Sequence, residues 1–108
     1  MSIGIPRIRD ANTEAITGTR VLTVGDAYHQ ILDPSGSGRE VDLPNGATSQ
    51  GAAVMITNSA DGGSEDLTIK QSDSSTTVTV IAQNESQELL CNGDGSTKGW
   101  QTTGLAET

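Results

Sequence analysis

Phenylalanine is missing from this chain, and Trp100, Tyr28, His29 and Cys91 are each the single residue of their type. One cysteine excludes an internal disulfide framework and any zinc site built from several thiolates. One histidine leaves a single imidazole for acid–base work, and no G-x-S-x-G turn is present to hold a serine against it. Lysine and arginine total only 6 against 14 acids, for a net charge of -8. Phosphate neutralisation requires clustered bases, so nucleic acid is not an expected partner. The glycines are scattered and no G-x-x-x-x-G-K-[ST] loop occurs, so no phosphate cradle is expected. No leading apolar run of signal-peptide or membrane-span length is found. Synthesis in the cytoplasm without a membrane partner is the expectation, and the Asn84-Glu85-Ser86 sequon is then fortuitous.

What is present is β-structure. Leu, Ile and Val make up 21 of 108 residues, just under the roughly one-fifth level that flags disorder, yet their alternation is regular. The central stretch is Arg39–Asn58. Val41 and Leu43 oppose Glu40 and Asp42, the period of a half-wetted strand. Pro44 removes a ladder donor and Asn45-Gly46 offers easy positive φ, so a turn is expected there. From Ala52 both faces turn small or apolar: Ala52, Val54 and Ile56 on one, Ala53 and Met55 on the other. That composition predicts a central strand covered on both sides.

The remaining strands fall around this centre. They are predicted at Arg20–Val24, Tyr28–Asp33, Asp66–Gln71, Thr76–Ala82, Ser86–Cys91 and Gly99–Thr103, with turn residues between them. Asn92-Gly-Asp-Gly95 reads as a hairpin-type loop. With the central pair this makes about eight short strands and an all-β fold, read as a jelly-roll-like sandwich. The predicted organisation is an N-terminal arm over 1–19, a sandwich over 20–104 and a tail over 105–108. The arm carries Ile3, Ile5, Ile8 and Ile16 among charges, is broken by Pro6, and ends in a short turn or helix around Ala11–Ile16. Residues 1–20 hold three bases against two acids, whereas the rest holds three against twelve. A shallow core and an apolar arm both predict further burial between subunits.

The chemistry on offer is thin. His29 is expected on an exposed or half-buried strand face, and Cys91 as a small buried hydrophobe rather than a nucleophile. The Asp61–Asp66 and Asn92–Ser96 loops carry oxygens, but neither has the spacing of a calcium loop, so no metal or cofactor is expected. Trp100 reads as a core residue closing one end of the sandwich, with an exposed stacking or interface role as the alternative.

Tyr28…Ile31-Leu32-Asp33-Pro34, Arg39-Glu40-Val41-Asp42-Leu43-Pro44, Gly51…Ile56-Thr57-Asn58, Leu89-Leu90-Cys91, Gly93-Asp94-Gly95 and Trp100 together resemble a small β-module of tailed-bacteriophage virion proteins. The resemblance spans about residues 20–103 and is nearest to capsid decoration (cement) proteins. It implies a non-enzymatic virion protein made in the host cytoplasm. Such a protein would bind the outer surface of the head and staple neighbouring major capsid subunits, as a homo-oligomer with a trimer preferred over a dimer. Ile3, Ile5, Arg7, Ile8 and Arg9 are then the expected contacts with a capsid subunit or neighbouring protomer. The alternative is a tail-fibre or spike module that binds a host receptor or glycan.

Overall fold

A computed structural model describes residues 10–93 and 99–103. Nine strands are present among them: β1 (Ala11–Ala15), β2 (Arg20–Val21), β3 (His29–Asp33), β4 (Arg39–Asp42), β5 (Ala53–Asn58), β6 (Leu67–Lys70), β7 (Thr77–Ile81), β8 (Ser86–Cys91) and β9 (Trp100–Thr102). They form two sheets, ordered β1-β3-β5-β8-β9 and β2-β4-β6-β7. The fold is all-β, with one apolar core between the sheets. Leu32, Ile56, Leu89 and Trp100 enter it from the first sheet, and Val41, Leu67, Ile69 and Ile81 from the second.

The first six strands alternate between the sheets, so the chain crosses over and returns before laying each new strand beside the one two earlier. Two crossings restore the strand direction, which makes β1–β3, β3–β5, β2–β4 and β4–β6 parallel pairs. The last three strands close the structure by antiparallel pairing, β6–β7, β5–β8 and β8–β9. A jelly roll is assembled from antiparallel Greek keys; this winding is not, which corrects the expected connectivity. The ninth strand is Ala11–Ala15, where a turn or helix was expected. Its five residues pair in register with His29–Asp33, so tertiary pairing overrides the poor strand propensity of Ala, Asn and Glu.

Local chemistry sets the strand ends. Asn45 has φ −57°, so the turn after β4 does not use the positive φ expected of Asn45-Gly46. Instead the Asn45 side chain accepts the Ala47 N–H at 2.8 Å and starts a 3-10 turn over Gly46–Thr48. Gly93 is needed where it stands: its φ is 89°, and a Cβ there would lie 2.9 Å from Gln50. On β5, Val54 and Ile56 are buried, while Ala53 and Met55 are only half-buried. The strand is central within its sheet but covered on one face, because β3 and β8 shield its outer side chains from the flanks alone.

Three buried amides are satisfied inside the fold. The Asn58 side chain donates to the carbonyls of Glu65 and Ile81 at 2.8 and 2.9 Å and accepts the Ala60 N–H, tying β5 to β7 across the core. At the opposite end Gln71 donates to the Trp100 carbonyl at 2.9 Å and accepts the Trp100 N–H at 3.2 Å, joining the end of β6 to β9. Gln30 donates to the Ala27 carbonyl and accepts from Asn12, which anchors β1 to β3.

Candidate docking surface

The expected arm contacts, Ile3, Ile5, Arg7, Ile8 and Arg9, lie outside the described residues. Their point of attachment lies inside. Asp10 leads straight into β1, and its carbonyl accepts the His29 N–H at 3.1 Å, so the root of the arm is set against the first turn of β3. Ala11, Thr13 and Ala15 are exposed along this strand, which forms one edge of its sheet. Asn12 and Glu14 point the other way and reach Gln30 and Arg20.

That inward side is electrostatic. Arg20 meets Glu14 at 3.1 Å and Asp26 at 3.4 Å. The Asn12 amide, with help from Arg20, holds the Glu14 carboxyl below its ordinary range. The Thr23 backbone N–H does the same for Asp26, again assisted by Arg20. A second cluster sits on the outer face of β4 and β6. Ser74 donates to Glu40 at 2.6 Å and Lys70 approaches Glu40 at 3.3 Å. Glu40 and Asp42 are two residues apart on one face, and each shifts the other's titration. Their mutual hydrogen bond and Ser74 pull Glu40 down to about 2, while burial and the Glu40 charge push Asp42 up to about 6.

His29 and Cys91 stand on opposite faces of the same sheet. The imidazole Nε2 is 2.8 Å from the Thr57 hydroxyl, which is 2.6 Å from that of Ser86, forming a polar line across β3, β5 and β8. Cys91 is buried on the inner face, and its thiol donates to the Gly46 carbonyl at 3.4 Å. The sheet itself separates them, so they cannot act as base and nucleophile. Trp100 is only 3% exposed, and its indole N–H donates to the Pro44 carbonyl at 2.8 Å, which closes one end of the core as expected. Tyr28 is half-buried and its hydroxyl donates to Glu88. Among the described residues no three His, Cys, Asp or Glu side chains gather as a metal site.

Sequence reasoning placed Asp42 on a wet strand face, and Ser49 lies in the polar stretch between the two central strands. Both are in fact buried, at 8% and 3% exposure. For Asp42 no local signal marks this, because its neighbours on the sheet, Val21 and Lys70, are remote in sequence. Comparison of the chain with protein-family models, curated proteins and solved structures finds no match.

Proposed function

We propose that this chain is a bacteriophage capsid decoration protein, a non-enzymatic module that binds the outer surface of the head and staples major capsid subunits. The observation that supports this reading most directly is the rooting of the arm. Five residues of β1 are paired in register, so the Ile- and Arg-bearing sequence before them is joined to the body at one defined edge. An arm that starts from a hydrogen-bonded strand loses less freedom on docking than one hung from an unpaired tail. A protein that binds only the assembled shell adds its binding free energy to shell stability. Assembly as a trimer multiplies modest contacts into firm attachment. The acidic body faces outward and keeps heads apart by charge repulsion. Burial of Trp100 favours this reading over glycan binding, because it removes the larger of two aromatic rings from any stacking surface.

The test is binding to expanded phage heads that lack the protein, comparing the full chain with a version lacking residues 1–9. That deletion spares β1, whereas removal through residue 15 would also strip a strand from the sheet. Stoichiometric binding at repeated lattice sites, lost with the arm, is the expected result. Equal binding without the arm overturns the arm's role. Attachment to tails or host cells but not to heads replaces the reading with the fibre and receptor class.

A further inference from the structure

The two sheets present different outer faces. Where Leu32, Ile56 and Leu89 of the first sheet turn into the core, strand alternation turns Ile31, Met55 and Leu90 outward. Leu90 is 44% exposed, and its partners across the sheet are Ala53 and Gln101. Ala11 and Ala15 carry the same low relief onto the edge strand β1. No Lys or Arg stands on this face, and its polar groups are bonded within the chain: His29 through Thr57 to Ser86, Glu88 to Tyr28, and Asp33 to the Ser35 N–H. The outer face of the second sheet instead holds the charged cluster of Glu40, Asp42 and Lys70.

We propose that the outer face of the first sheet is the surface on which a second copy of this chain docks. Charge selects the occupant. Two chains of net charge -8 repel one another, so they meet where each is least charged. On this face the charges are the carboxylates of Asp33 and Glu88, each of which already accepts an internal hydrogen bond. A basic partner would be drawn elsewhere, to the acidic loop that holds Asp61, Glu65 and Asp66. Because its polar groups are paired internally, the face can be covered without orphaning them. Five strands about 4.8 Å apart and about five residues long make a face of roughly 400 Å², about half of what one partner gives to a standard interface. The arm supplies the rest: it enters β1 at the margin of this face, and residues 1–9 reach at most about 30 Å, far enough to lie over a neighbour seated there.

The face is inferred without the capsid reading, which shares with it only the number of copies, and it is tested without a virion. Sedimentation velocity of the full chain over a concentration series is expected to show self-association. Leu90→Glu places an unpaired charge on the face and is expected to weaken association about tenfold or more, with an unchanged circular dichroism spectrum. Ala53→Glu, opposite Leu90 in register, is the second variant if Leu90→Glu does not fold. Val80→Glu adds the same charge to β7 of the second sheet, at a residue 50% exposed, and is expected to leave association intact. Deleting residues 1–9 is expected to weaken association severalfold. A monomer at every concentration, undiminished association by a folded Leu90→Glu, or an equal loss with Val80→Glu each overturn the proposal. Undiminished association without residues 1–9 overturns the arm's share in it. Association that Leu90→Glu dissolves supports the face whether two or three copies assemble. A dimer would remove the trimer from the capsid reading, and failure to bind heads would remove that reading while the face stands.

Discussion

The margin formed by β1 and β2 and the centre formed by β5, β6 and the strands that close on them are held in different ways. At the centre, Ile56, Leu67, Ile69, Ile81 and Leu89 are all but fully buried, and the Asn58 and Gln71 amides bind the sheets at opposite ends. At the margin, Asn12, Glu14, Arg20 and Asp26 satisfy one another, with only Ile16 and Leu22 contributing apolar burial nearby. A fully buried Leu or Ile contributes roughly 1.5–3 kcal/mol, whereas a partly exposed ion pair contributes about 0–1 kcal/mol. The margin is therefore the weaker unit and opens before the centre. It also carries the root of the arm, so the part of the molecule that presents the arm is not the part that sets global stability.

Three measurements sharpen or break this contrast. The largest effect is expected at the centre. Asn58→Ala leaves the Glu65 and Ile81 carbonyls and the Ala60 N–H without their partner, at a cost of about 3 kcal/mol in denaturant unfolding. A loss below about 1 kcal/mol would show that the sheets hold together without this tie.

The second measurement is the pH dependence of stability. Asp42 is raised to about 6 in the folded state, so the fold binds its proton more tightly than the unfolded chain does. That stabilisation is complete below the ordinary aspartate pKa and is lost as pH rises through about 6, a decline on the order of 1 kcal/mol between pH 5 and 8. Glu40, Glu14 and Asp26 are lowered, so their contributions are present above the ordinary carboxylate range and fade only in acid. Melting temperatures measured across pH 5–8 should fall as pH rises, and Asp42→Asn should flatten the slope.

The smallest effect is expected at the margin. Arg20→Ala removes both ion pairs and should cost about 0.5–1 kcal/mol globally. Hydrogen exchange at β1 amides should nonetheless quicken while β5 and β8 amides stay protected. A global loss as large as that of Asn58→Ala would erase the distinction between margin and centre.

Alternation made most strands legible. Ser86–Cys91 is predicted to the residue, and Ala52–Asn58, Asp66–Gln71 and Thr76–Ala82 to within one residue at each end. Arg20–Val24 is overextended, because only Arg20 and Val21 are laddered with β4. Ala11–Ala15 is missed because its small and polar side chains carry no strand signal; its conformation is conferred by the edge of β3. The burial of Asp42 was illegible for a related reason, since it alternates as a wet residue and its sheet neighbours Val21 and Lys70 are remote in sequence.

The sequence by itself determined which stretches extend, which face of each turns inward, where glycine, proline and asparagine interrupt them, and the acidity of the whole. These are properties of neighbouring residues, written in a period of two and in backbone preference. The tertiary structure alone decided that the early strands pair in parallel, that a polar segment becomes an edge strand, and that a strand carboxylate is taken out of water. Each of those depends on which distant segments meet, and pairing energies between strands are too alike locally for a single stretch to select its neighbour.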